Sequence, residues 1–287
     1  MKDINPKLIR ILECQSCNSN LKLVESNFVC VKCGAVLSTQ NGMVDFINGS
    51  SDKRQMELRH QKEEIFYFNT TIKARLYEIG RKIITCDYVV KDYFNEFLGR
   101  IKKDAIVVEL GSGNKRCTED IINVDIFPFP NVDVLSDIKK TPFGDNTVDY
   151  VIIDAVLEHV PEPQTVCKEI YRILKPGGMV FCVVPLIHQY HGYPKHYFNI
   201  TEDGLLHLFN EFSTCEVKLY RGPTSAIISL IAEYLALAFS GNNNNLYMAI
   251  RGAVLIPIFW VKYLDKLWCH SKKSTRICNA LCAIVTK

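Results

Sequence analysis

The chain has 287 residues, 48% of them apolar and 23% charged, which excludes a disordered tail protein and leaves room for one large core plus a small accessory unit. A formal net charge of +3 is too small to imply a polyanion partner by itself. The excess is local, since Arg251, Lys262, Lys266, Lys272, Lys273, Arg276 and Lys287 face Asp265 alone while residues 1–50 are close to balanced.

The opening MKDINPKLIRILEC has neither the apolar run nor the small-residue cleavage site of a secretory signal, so a cytoplasmic protein is expected. In a reducing compartment, patterned cysteines favour metal over disulfides. Cys14, Cys17, Cys30 and Cys33 form two Cys-x2-Cys pairs, a spacing suited to tetrahedral coordination of Zn2+, with disulfides or free thiols as the alternative. Leu21 and Leu23 against Phe28 and Val29, around Glu25-Ser26-Asn27, read as the hairpin that brings the second pair to the first. About fifty residues bury too little to fold alone, so the metal would supply folding energy and, with four protein ligands, be structural. The other cysteines sit among apolar neighbours and read mostly as small buried hydrophobes. Residues 8–47, including the trailing NGMVDFI, resemble small zinc-ribbon domains.

Residues 51–103 start charged and continue with Phe66, Tyr67, Phe68, Tyr77, Tyr88, Tyr93, Phe94 and Phe97. Their spacing predicts amphipathic helices that pack on the main domain or serve as a lid over a substrate pocket. From 104 the pattern changes to apolar runs at 105–110, 121–126, 150–154, 179–185, 215–220 and 280–286. Between them lie helical patterns such as PQTVCKEIYRILK, expected to stop at Pro176-Gly177-Gly178. Alternating strand and helix predicts an α/β fold with a Rossmann-like, doubly wound, mostly parallel sheet.

In such a sheet, ligands bind at the carboxyl ends of strands near the switch in strand order. Gly111-Ser112-Gly113 falls at such an end. A dinucleotide fingerprint needs a third glycine at 116, where Arg116 stands, and the seven residues between Gly113 and Ile121 are short for a crossover helix. A nucleoside with a sulfonium side chain needs less: close backbone approach at the glycines and an acid, Asp125, for the ribose hydroxyls.

The order VVELGSGNKR, INVDI, the Pro142-Phe143 turn, LEHV and LKPGG resembles the class I S-adenosylmethionine-dependent methyltransferases of the type 11 subgroup over about 104–220. The resemblance implies S-adenosylmethionine as cofactor, with Glu109, Gly111, Ser112 and Gly113 on its methionine and ribose side and Asp125 at the ribose. It further implies Asp137 and Ile138 at the adenine, with Asp154 and Ala155 on the far wall. Lys115 stands where that family has a further glycine, and the first helix is shortened. The domain plan expected is ribbon 1–50, helical linker or lid 51–103, core 104–224, apolar helical insertion 225–278 and last strand 279–287, of which the ribbon and the insertion resemble those of ribbon-bearing methyltransferases.

Methyl transfer is an in-line displacement that aligns the acceptor and, for a hydroxyl, removes its proton. The segment PLIHQYHGYPKHYFNIT follows a strand and carries the base candidates His188 and His191 and the substrate-contact candidates Tyr190, Tyr193, His196 and Tyr197. Packing of the loop is the alternative, and His159 is read as holding the loop after the fourth strand. The apolar stretches in 225–273, interrupted by Glu233, Arg251 and Lys262, are too broken for a full crossing. They suit helices lying on an anionic membrane surface beside Trp260, Trp268, Lys262, Lys266, Lys272 and Lys273, with sheet packing or an oligomer interface as alternatives. The expectation is therefore O-methylation of a small-molecule, glycan or lipid-linked acceptor at the inner membrane face. An RNA base methyltransferase and a non-catalytic adaptor are the rivals, and nucleic acid is disfavoured by the ribbon's balanced charge.

Overall fold

The computed structural model describes residues 4–25, 27–47, 85–192 and 195–287. The expected helices and aromatic residues within 51–84, and Tyr193, lie outside the described residues.

At the N-terminus β1 (Leu21–Val24) and β2 (Asn27–Cys30) form the antiparallel hairpin, and β3 (Val36–Leu37) adds to β2. The chain then leaves the ribbon. Strands β4 (Thr39–Gln40) and β5 (Met43–Asp45) join the large sheet, where β5 pairs in parallel with β8 (Val134–Leu135). The other strands are β6 (Val107–Leu110), β7 (Ile121–Asp125), β9 (Val148–Asp154), β10 (Leu174–Pro185), β11 (Thr214–Arg221) and β12 (Ala280–Thr286), in the order β11-β12-β10-β9-β6-β7-β8-β5-β4.

Strands β5 to β10 are parallel and β12 runs against β10. The mostly parallel α/β sheet expected from the apolar runs is thus present. All residues of β6 and β7 are buried, as strands covered on both faces require. Successive side chains alternate between two cores. Val108, Ile122, Val151 and Val180 join one with the ribbon's Leu12 and Phe28, whereas Val107, Ile121, Ile152 and Phe181 join the other with Phe97.

Helix α1 (Tyr93–Leu98) puts Phe94 and Phe97 against Phe181 on the second face. Helices α2 (Pro163–Ile173) and α3 (Glu202–Leu208) cover the first, through Val166, Ile170 and Leu205. Helix α2 ends earlier than the Pro-Gly-Gly signal suggests, because Leu174 already pairs with Val148 as the first residue of β10. Pro176-Gly177-Gly178 lies in the register shift that follows. A side chain at Gly178 would stand 2.8 Å from the Asp149 carbonyl oxygen.

The apolar insertion is a helical hairpin of α4 (Pro223–Ser240) and α5 (Asn244–Ile258), followed by a 3-10 segment and α6 (Asp265–Trp268). Its start is held from a distance. Asp265, 0% exposed, accepts hydrogen bonds from Thr224 N (2.7 Å), Ser225 N (3.0 Å) and Ser225 Oγ (2.7 Å), so a carboxylate caps the positive end of α4. Glu233 and Arg251, read as interruptions, form an ion pair between α4 and α5. Lys262 corrects the expectation of a lipid-facing cation: it is 4% exposed and donates to the Thr85 carbonyl at 2.7 Å. The stretches Pro223–Ser240 and Asn244–Trp268 are long and apolar enough, by length and composition, to cross a membrane, although half of the first is buried against the protein.

Candidate functional site

Chain order moves outward from β6 to β7 and β8, then jumps back to β9 on the other side of β6. That reversal makes the carboxyl ends of β6 and β9 the switch point, where an open α/β sheet leaves a crevice. The predicted cofactor residues line this edge.

Gly111 and Gly113 both have positive φ, 73° and 61°, the left-handed region that favours glycine. A Cβ on Gly111 would lie 2.6 Å from the Val156 side chain, whereas one on Gly113 would point into open space. The loop is pinned by its backbone, as Gly111 N and Ser112 N both donate to the Val124 carbonyl and Gly113 N donates to Asp125 Oδ2 at 2.8 Å. Asp125 Oδ1 accepts from Phe127 N. The predicted ribose acid is therefore a clasp on the glycine loop, with two lone pairs committed to backbone N–H groups.

The described residues 111–120 form no helix. Side chains take over its fastening role, a feature the sequence reading missed. Arg116, noted only as a missing glycine, pairs with buried Asp133 at 2.8 Å and donates to the Ile121 carbonyl. Asn131 Nδ2 donates to the carbonyls of Gly113 and Lys115.

At the centre of the edge, Glu109 is buried and its Oε2 has no hydrogen-bond partner. Burial pushes its carboxyl up to about 7, against the opposing hydrogen bond from the Cys117 thiol. The Ser112 hydroxyl is likewise buried without a partner. Asp154 is the exposed last residue of β9, where desolvation raises its pKa, opposed by Arg221. Ala155 has φ 54°, a conformation that a non-glycine residue adopts at a cost and that gathers at functional turns. At the end of β8, half-buried Asp137 turns its carboxylate back to Lys139 N, beside buried Ile138. Orphaned polar atoms and an open side above Gly113 fit a small polar ligand such as S-adenosylmethionine.

The loop after β10 reaches the same edge. His188, His191 and His196 come together, with ring centroids 4.6 Å apart for His188 and His191 and 4.3 Å for His191 and His196. Burial lowers the pKa of His188, whose Nδ1 lies 3.0 Å from the Gln189 carbonyl oxygen. Tyr190 is 73% exposed and stacks on His196, and Tyr197 is exposed beside Phe198. His159 Nδ1 lies 2.6 Å from the Lys195 carbonyl oxygen, which ties the turn after β9 to this loop. Gln189 is hydrogen-bonded by Ser229 of α4. Glu158, Asp87 and Arg221 act electrostatically on this group and were missed. Only Glu158 carried a sequence signal, as an acid just past a strand end.

In the ribbon, Sγ of Cys14 lies 3.6 Å from that of Cys33, and Sγ of Cys17 lies 3.4 Å from that of Cys30. All four sulfurs are within 4.8 Å of one another and none is disulfide-bonded. Tetrahedral Zn–S bonds of about 2.3 Å place sulfurs about 3.8 Å apart. Cys30 Sγ also accepts from the backbone N–H groups of Lys32 and Cys33, which suits a thiolate. The residues fit a structural zinc.

Residues 94–182 match the family described as "Methyltransferase domain". Among curated proteins, the demethylmenaquinone methyltransferase of Geobacillus sp. (strain WCH70) is 57% identical over 42 residues, 15% of this chain and 18% of that protein. The demethylmenaquinone methyltransferase of Listeria monocytogenes serotype 4a is 38% identical over 72 residues, 25% and 27% of the two chains. The chain thus spans about a fifth to a quarter of the length of these relatives. Among solved structures, a SAM-dependent methyltransferase from Archaeoglobus fulgidus aligns with a TM-score of 0.43 and 16% identity, over 69% of this chain and 93% of that one. Residues 94–182, which include the glycine loop and the carboxyl ends of β6 and β9, thus match a methyltransferase domain.

Proposed function

We propose that this protein methylates a hydroxyl on a glycan or lipid-linked acceptor met at the inner face of a membrane. The observation that carries the reading is the meeting of two surfaces at one sheet edge: the glycine loop with Glu109 and Asp154, and the histidine loop after β10. Bound at the glycine loop, S-adenosylmethionine supplies an electrophilic methyl carbon on a positively charged sulfur.

The chain's own residues do the rest. Gly111 and Gly113 allow the backbone to come close, and Asp125 holds that backbone in place. Ionised Glu109 and Asp154 complement a cation. His188 carries its hydrogen on Nδ1, toward the Gln189 carbonyl, which leaves Nε2 as the basic nitrogen for an acceptor hydroxyl. His191, Tyr190, His196 and Tyr197 border the acceptor side. In the ribbon, Cys14, Cys17, Cys30 and Cys33 hold a structural Zn2+.

The membrane part of the reading is supported by the outer face of the insertion, where Ile227, Leu230, Tyr234, Leu237, Phe239 and Trp260 are all exposed. A patch this apolar on a protein surface marks an interaction site. Lys266, Lys272 and Lys273 border it and suit anionic lipid.

The test is to incubate the protein with methyl-labelled S-adenosylmethionine and a fractionated cell extract. Label in the lipid or glycan fraction is expected, and label confined to RNA overturns the acceptor class. Failure to bind the labelled cofactor overturns methyl transfer altogether.

A further inference from the structure

Where the histidine loop crosses the turn after β9, one carboxylate and two imidazoles converge, and the Glu158 carboxylate raises the pKa of His191. Glu158 is 0% exposed, and neither carboxylate oxygen has a hydrogen-bond partner. A buried carboxylate left in this way is costly unless a cation meets it. Nε2 of His191 lies 3.6 Å from Oε1 and Nε2 of His159 4.0 Å from it. Both distances are too long for a hydrogen bond.

The tautomers are fixed from outside. Nδ1 of His159 faces the Lys195 carbonyl at 2.6 Å and Nδ1 of His191 faces the Gln189 carbonyl at 3.1 Å. A carbonyl only accepts, so each Nδ1 carries a hydrogen, and each ring when neutral turns the lone pair of Nε2 toward Glu158, so that a metal competes there with a proton on His191. Imidazoles that ligate metals are held by their other nitrogen in this way.

We propose that Glu158, His159 and His191 form a site for a divalent first-row cation, zinc by preference, separate from the four cysteines. Their three donor atoms lie within 4.8 Å of one another. Metal–ligand bonds of about 2.0–2.1 Å set neighbouring tetrahedral ligands about 3.3–3.4 Å apart, so the observed 3.6 and 4.0 Å need only small rotations to close on an ion. His196 is not a ligand. Its Nδ1 accepts from His191 N and its Nε2 faces the Phe198 carbonyl, so it has no lone pair to offer. Three protein ligands leave one position open, as in zinc sites that bind a substrate or water. On the methyl-transfer reading above, and only on it, that position would take an oxygen of the acceptor.

The test uses the full-length protein, Co2+ as probe, and no cofactor or acceptor, so its outcome is independent of turnover. The wild type should take up two equivalents. One shows the thiolate-to-cobalt charge-transfer band of the cysteine site, and the other adds ligand-field absorption without such a band. Glu158→Gln and His191→Ala should each lose the second equivalent and keep the first, and the retained thiolate band with an unchanged far-UV circular dichroism spectrum reports that the variants are folded. A wild type that binds a single equivalent, or a second equivalent retained by both variants, overturns the site. Binding of labelled S-adenosylmethionine, measured in parallel, shows whether the methyl-transfer reading stands when the metal site does not.

Discussion

Glu109 shows how one residue couples the stability of the fold to its ligand. Burial disfavours its charged form, so the folded chain holds a proton between the ordinary value of 4.5 and about 7, a window in which the unfolded chain has released it. The contribution is therefore fully present below pH 4.5 and lost as pH rises through 7, about 3 kcal/mol in all. Cys117, Asp154, Asp125 and Arg116 face the same carboxyl and set the width of that window. Denaturant melts across pH 5–8 should show this slope in the wild type and a flatter one in Glu109→Gln. Cofactor affinity should run the other way, rising through about pH 7 as the carboxylate forms, and calorimetric titration would show it. The glycines and acids of this edge are legible in the sequence because they follow strands directly. The pairing of Glu158 with His191 is not, since it depends on where a distant loop lands.

Among the elements, the strands were the easiest to read, because each is a nearly uninterrupted apolar run. The short strands β3, β4, β5 and β8, of two or three residues each, escaped. The stretch between β6 and β7 shows why element prediction has limits: its shortness was visible, but the Arg116–Asp133 pair that replaces the helix was not. Arg116→Ala should lower cofactor affinity roughly tenfold by loosening the glycine loop, on the order of 1–2 kcal/mol for a charge-assisted contact. Helix α4 depends similarly on Asp265, with which the sequence shows no link. Asp265→Ala should cost about 2–3 kcal/mol in chemical denaturation, since it leaves two backbone donors and one hydroxyl unpaired. Gly222 belongs to the same arrangement, as a Cβ there would overlap the Asp265 side chain.

For the molecule as a whole, composition showed an apolar C-terminal region but not which of its charges are internal. Glu233, Arg251 and Lys262 are satisfied within the protein, which leaves the outer surface of the hairpin more apolar than the sequence suggests. Both tryptophans of the chain, Trp260 and Trp268, are exposed on this region. Intrinsic fluorescence therefore reports on it without a label. Vesicles with anionic lipid should shift the emission to the blue and carry the protein into the pellet, and Leu237→Asp with Phe239→Asp should abolish both effects. Unchanged emission at saturating lipid would rule out membrane contact through this surface.

Strands β5 and β4, which directly follow the ribbon, lie along the outer margin of β8. Without that cover, β8 would present unpaired N–H and C=O groups to any passing extended chain, the usual template for aggregation. A zinc ion held by Cys14, Cys17, Cys30 and Cys33 would thus also guard solubility at a distance. Chelation should bring light scattering at temperatures below the melting point of the intact protein, and a chelated sample that stays clear and monomeric would refute the link.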